Sequence, residues 1–175
     1  MAVYFTADTH FGHAAARALY RRPFASVAEM DEAMVARWNE AVGPEDEVWH
    51  LGDFVVRRGA AEAAAVLLTR LNGRKRLVIG NNDPPAVAAL PGWAAPAVHY
   101  AEAEVDGTGV VLCHYAFRTW RNAGRGWVNL HGHSHGRLRP PLPRQADVGV
   151  DAQDFRPVAL AEIFRARRGG RRGPA

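Results

Sequence analysis

The sequence is poor in cysteine: its 175 residues hold one, Cys113. A lone thiol excludes an internal disulfide and a zinc site built from several cysteines. Long apolar runs are also missing, and none approaches the ~20 residues that cross a bilayer. The N-terminal Met1-Ala2-Val3-Tyr4-Phe5-Thr6 has no basic segment ahead of an apolar core, so no secretory signal is expected. Internal repeats are absent, and no linker is visible within residues 1–164. These absences predict one cytoplasmic domain with no contact with a membrane. A composition of 48% hydrophobic and 23% charged residues is that of a globular chain, not a disordered or fibrous one. A chain this long can bury about 70% of its unfolded surface without covalent staples.

The basic charge is concentrated at the end. Residues 165–175 carry five arginines and no acid, and without them the net charge of +4 becomes −1. The expected division is therefore a domain over residues 1–164 and a solvated, disordered Arg/Gly/Pro tail over 165–175. Such a tail can attract nucleic acid weakly. It does not by itself make the chain a nucleic-acid-binding protein.

Short apolar runs alternate with helical stretches. Val3–Ala7 and Val48–Leu51 read as strands, as does Leu77–Ile79. Ser26 and Glu29 form a capping box. It opens a helix with Val27, Met30, Met34, Val35 and Trp38 at helical period, ended by Gly43-Pro44. Ala60–Leu71 reads as a second helix, stopped by Asn72-Gly73. Val98–Val105 and Val110–Cys113 make a hairpin through Asp106-Gly107, with Val128–Leu130 and Val148–Val150 as further strands. Val158–Phe164 fits either a strand or a helical turn. This order predicts an α/β layered fold with mixed sheets.

The chemistry lies in the polar residues just beyond the apolar runs. Asp8-Thr9-His10 comes after the first, then Phe11-Gly12-His13. Gly52-Asp53 comes after the second and Gly80-Asn81-Asn82-Asp83 after the third. His114 follows Cys113, and His131-Gly132-His133-Ser134-His135 follows Leu130. Strand ends gather at one edge of an open α/β sheet, where ligands bind. Each cluster alone is common in turns, but the ordered set is specific. Mixed oxygen and imidazole donors suit Mn, Fe, Zn or Co better than calcium. Two such ions can hold both oxygens of a phosphoryl displacement.

These residues resemble the calcineurin-like metallophosphoesterase superfamily. Its pattern is Asp-x-His, Gly-Asp, Gly-Asn-His-Asp/Glu, a histidine after a strand, then Gly-His-x-His. Asp147-Val148-Gly149-Val150-Asp151 and Asp154-Phe155-Arg156-Pro157-Val158 resemble a small bacterial subgroup of these enzymes. The resemblance implies two mixed β-sheets packed as a sandwich and flanked by helices, a four-layer αββα fold. It implies two divalent ions, with manganese foremost and Fe, Zn, Ni or Co as alternatives. One ion would take Asp8, His10, Asp53 and His135, and the other Asp53, Asn81, His114 and His133. Asp53 would bridge, and a metal-bridging hydroxide would attack phosphorus in line.

One position departs from the pattern. The usual histidine after the metal-binding asparagine is Asn82 here. An amide donates a hydrogen bond but supplies no proton near neutral pH, and general acid help is typically worth 10²–10⁴-fold. His13 is the candidate substitute. Arg118 is a candidate phosphate clamp, with Arg21 and Arg22 behind it. His131 is a candidate to orient a metal-bound imidazole, and Cys113 reads as a buried strand residue. The leading expectation is a phosphodiesterase acting on a small molecule or nucleotide. The alternatives are a phosphomonoesterase for a nucleotide or phosphoprotein, and a non-catalytic metal-binding scaffold like the superfamily's retromer subunit. Oligomeric state is left open by the sequence.

Overall fold

The computed structural model describes residues 1–56, 60–140 and 142–169. In chain order its elements are β1 (Val3–Thr6), α1 (Ala14–Leu19), α2 (Val27–Ala41), β2 (Glu47–His50) and α3 (Ala61–Arg70). They continue with β3 (Arg74–Leu77), α4 (Pro85–Ala88), β4 (Tyr100–Val105) and β5 (Thr108–Cys113). The last are β6 (Val128–His131), β7 (Gln145–Asp147), β8 (Val158–Ala159) and α5 (Leu160–Gly169).

The strands form two four-stranded sheets, in the orders β3-β2-β1-β8 and β4-β5-β6-β7. In the first, β1, β2 and β3 run parallel and β8 joins β1 antiparallel. In the second, β4 and β5 form an antiparallel hairpin while β5, β6 and β7 run parallel. Both sheets are mixed. Parallel bridges Ala7–Gly149 and Val78–Val98 join them at their margins.

Two-sided burial follows from the alternation of side chains along a strand. Phe5, Ala7 and Leu51 meet Val110, Leu112, Leu130 and Val148 in an apolar cluster shared by the two sheets. Val48 and Leu77 contribute to a second cluster with Met30, Met34, Trp38 and Leu68 of α2 and α3. Helix α5 adds Leu160 and Ile163 to the inter-sheet cluster. Two mixed sheets flanked by helices are thus the architecture, as the resemblance implied.

Several boundaries differ from the sequence reading, each for a local reason. Ser26 does cap α2, its Oγ accepting from Glu29 N–H at 3.0 Å. Glu29 closes the box on the Ala25 N–H at 2.7 Å. The third strand is Arg74–Leu77, not Leu77–Ile79. Its charges hide it: Arg76 pairs with Glu47 at 2.9 Å, and the buried Lys75 ammonium donates to the Leu68 and Leu71 carbonyls. Those carbonyls end α3 and have no intrahelical partners. Val148–Val150 is not a strand. β7 stops at Asp147, and after the single Gly149 bridge the chain turns through a 3₁₀ helix, Val150–Ala152. The undecided Val158–Phe164 is both things in succession, two residues of β8 and then α5. α5 runs to Gly169, past the expected start of the tail at 165. Residues 170–175 lie outside the described residues.

Candidate metal centre

The parallel strands bring their C-terminal ends to one edge, and every candidate ligand sits just beyond such an end. The ligand turns need backbone angles that side chains normally avoid. Asp8 (φ 56°), His10 (50°), Asp53 (60°), His133 (63°) and His135 (47°) are all left-handed. Each such angle is uncommon outside glycine, and a cluster of them marks a functional constraint.

Ligand atoms of Asp8, His10 and His135 lie within 4.8 Å of one another, and so do those of Asp8, Asp53 and His114. Asp53 stands between the two imidazole groups, with Oδ2 3.6 Å from His10 Nε2 and Oδ1 3.7 Å from His114 Nε2. His114 Nδ1 is 2.8 Å from the Leu51 carbonyl, so it carries the proton and donates. Nε2 is 2.9 Å from Asn81 Oδ1. His133 completes this side, its ring 5.1 Å from that of His114. Carboxylate, amide and imidazole groups therefore converge at this edge. Asp8 Oδ1 and both ring nitrogens of His10 are buried without a hydrogen-bond partner. Buried polar atoms left unpaired are costly, and divalent cations would satisfy them. The donor set fits.

Electrostatics point the same way. Burial pushes Asp8 well above the usual carboxylate range, and the neighbouring Asp147, Asp53 and Asp151 push in the same direction. Burial holds His10 down at about 2, with Arg22 and His135 adding to the effect, so its ring stays neutral as a ligand must.

A scaffold of residues outside the candidate ligands holds these turns. Asp151 accepts from His135 Nδ1 at 2.7 Å, which leaves Nε2 for a metal. Arg22 grips the same carboxylate through Nε and Nη2, at 2.9 and 2.8 Å. It also donates to the backbone carbonyls of Thr9 (2.8 Å) and Asp8 (2.7 Å). Arg22 is therefore no phosphate clamp, since its guanidinium is buried and consumed. Asp83 accepts from the backbone N–H groups of Asp53, Phe54 and Gly80, each at 2.8 Å, tying two ligand turns together. Asp147 accepts from Gly136 and Gly149. A Cβ on Gly149 would stand 2.6 Å from Asp8 Oδ2, and one on Gly80 2.3 Å from Asp53 Oδ1. Asp147, Asp151 and Asp83 are visible within the sequence motifs, but nothing in the sequence separates a holder from a ligand. Tyr20 gives no sequence signal at all, yet its ring lies 3.5 Å from that of His135, almost parallel.

The remaining candidates scatter around this centre. His13 lies beside it, its ring 5.6 Å from that of His10 and its Nδ1 buried without a partner. Burial, followed by Arg22, lowers its pKa. The Asn82 amide donates to Asp53 Oδ2 at 2.7 Å and its backbone N–H to Oδ1 at 2.9 Å. Arg118 and Arg21 are exposed. His131 follows the core residue Leu130 and so faces the opposite side of its sheet. Its Nδ1 is 2.9 Å from the Gly132 carbonyl oxygen. Cys113 is buried and free.

Comparison with known proteins agrees with the geometry. The uncharacterised protein MJ1445 of Methanocaldococcus jannaschii is 28% identical, the match covering 93% of this chain and 89% of its own length. The Gene 66 protein of Mycobacterium phage D29 is 34% identical over 86% of this chain and 88% of its own length. Among solved structures, the Aquifex aeolicus protein of unknown function AQ665 superposes with a TM-score of 0.73 at 24% identity. It covers 94% of this chain and 98% of that one, a likeness of fold alone. The family model for calcineurin-like phosphoesterases matches residues 1–162. The chain belongs to the calcineurin-like phosphoesterase family.

Proposed function

We propose that the protein is a phosphodiesterase with a dinuclear metal centre held by Asp8, His10, Asp53, Asn81, His114, His133 and His135. The observation that carries this reading is Asp53, each of whose carboxylate oxygens faces a separate imidazole. Two divalent ions there, manganese foremost, would supply Lewis acidity, neutralising phosphoryl charge and acidifying water.

The preference for a diester rests on the chain's own residues. A phosphomonoester is largely a dianion above pH ~6, whereas a diester carries one charge. Four carboxylates, those of Asp8, Asp53, Asp147 and Asp151, crowd the centre. The nearby guanidinium, Arg22, is spent on Asp151 and two carbonyls. Arg137 is anchored on the Tyr20 ring and the Leu19 carbonyl. Asn82 can orient a substrate oxygen but cannot protonate a leaving group. The half-buried His13 beside His10 is the proposed source of that help.

Comparison of bis-(4-nitrophenyl) phosphate with 4-nitrophenyl phosphate tests the reading. The diester is expected to have a kcat/KM at least tenfold higher, and equal or reversed values would contradict the preference. His13→Ala with unchanged metal content is expected to slow hydrolysis of an alkyl ester more than an aryl ester. An equal effect on both would remove the acid role.

A further inference from the structure

The forty residues from Gly107 to Ala146 contain six arginines and no aspartate or glutamate. Topology explains where that charge goes. β5, β6 and β7 run parallel, so after each strand reaches the metal edge the chain must travel back before the next begins. Residues 115–127 make the first return, and 136–140 and 142–144 are the described part of the second. Two contacts hold the returns together. Arg144 Nη2 donates to the Ala123 carbonyl at 2.8 Å, and Gln145 Nε2 donates to the Phe117 carbonyl. Both segments start beside His114, His133 and His135 and end at the far side of the sheet.

The arginines on these returns are short of acidic partners. Arg121 pairs with Glu102 of β4. Arg118 and Arg125 are exposed and form no ion pair with the described residues. Among the described residues, exposed Arg137, Arg139 and Arg144 donate to backbone carbonyls and form no ion pair, and Arg137 also lies over the Tyr20 ring. Tyr115 stands at the start of the track, 46% exposed, with its ring 4.8 Å from that of His133.

We propose that these two return segments form a binding track for single-stranded nucleic acid, leading its backbone to the metal edge. Exposed guanidinium groups without acid partners among the described residues suit a polyanion. An aromatic ring at the mouth of a basic track gives a base a stacking surface, which a paired duplex does not offer. The inference builds on the phosphodiesterase reading and narrows its substrate to a polynucleotide.

The test is fluorescence anisotropy of a labelled 12-mer, as single strand and as duplex, against the full-length protein with and without EDTA. The variant is Arg125→Glu with Arg144→Glu, two residues remote from the metal edge. Hydrolysis of bis-(4-nitrophenyl) phosphate is followed in parallel. The single strand is expected to bind more tightly than the duplex, and the variant to lose at least tenfold in affinity. The slope of log K against log salt should flatten by about 1.4, at roughly 0.7 per phosphate contact. Small-diester hydrolysis should not change. Arg125→Glu alone, at an exposed side chain with no ion pair among the described residues, guards against misfolding and is expected to give part of the loss. Unchanged affinity in both variants would overturn the track. Duplex or inorganic polyphosphate binding as tightly would overturn its single-strand character. Binding without any hydrolysis would leave the track standing and remove the phosphodiesterase reading instead.

Discussion

Asp151 does more for the centre than its place outside the expected ligand set suggests. Its carboxylate orients His135 and neutralises Arg22, and Arg22 in turn holds the carbonyls of Asp8 and Thr9. Removing such a supporting group typically costs 10–100-fold in metal affinity. Leaving a buried guanidinium unpaired costs about 3–5 kcal/mol of stability. Asp151→Asn should therefore lose both, read by calorimetric metal titration and thermal unfolding. His135→Ala should lose metal affinity without the full stability loss. Equal melting temperatures for the two variants would contradict this division.

His50 gives a second residue-scale expectation. It is fully buried among Trp38 and Phe54, with Nε2 3.0 Å from Thr9 Oγ1. Burial, with His114 adding to it, holds its pKa down to about 3. The unfolded chain takes up that proton near pH 6.5, so the stabilising contribution is complete above 6.5 and is lost as pH falls towards 3. In metal-free protein, the urea-unfolding free energy of His50→Gln should fall less steeply with pH between 6 and 4. The difference should be about 1.4 kcal/mol per pH unit. Parallel curves would refute it.

At the scale of elements, legibility depended on whether the local pattern was also the tertiary reason. α2 could be read because its cap and its apolar spacing both lie in the chain. The β4–β5 hairpin could be read because Asp106 (φ 51°) and Gly107 (φ 71°) supply the turn. β3 could not, because its Arg-Lys-Arg run is polar by sequence and is satisfied only by a helix end and a neighbouring strand. α1 and α4, six and four residues long, were not anticipated, being too short to show a helical period. The candidate ligands were legible as a set because strand ends are marked by the apolar runs before them. The residues that hold them were not, because Arg22 meets Asp151 across 129 positions of sequence.

The glycines between elements carry a prediction of their own. Gly149 has φ −58°, which any residue tolerates, so Gly149→Ala tests its close approaches, 2.6 Å to Asp8 Oδ2 and 2.9 Å to Asp147 Oδ1. It should weaken metal binding at least tenfold, whereas Gly124→Ala, with nothing within 4 Å, should bind metal normally. Equal affinities would mean that Asp8 and Asp147 give way at no cost to the centre.

For the whole molecule, the two sheets bring the candidate ligands from separate strands to a shared edge. No helix among the described residues is long and apolar enough to cross a membrane. The fold is the family's, and the central claim is that the centre works with Asn82 where the resemblance leads one to expect histidine. The most direct measurement is hydrolysis of bis-(4-nitrophenyl) phosphate by metal-stripped protein, with and without added Mn²⁺, beside Asp53→Ala. The account predicts activity that returns with Mn²⁺, tracks two bound ions per chain, and is absent in Asp53→Ala. A folded, metal-loaded protein that hydrolyses nothing with any divalent ion would contradict it, and would make the centre a metal-binding scaffold.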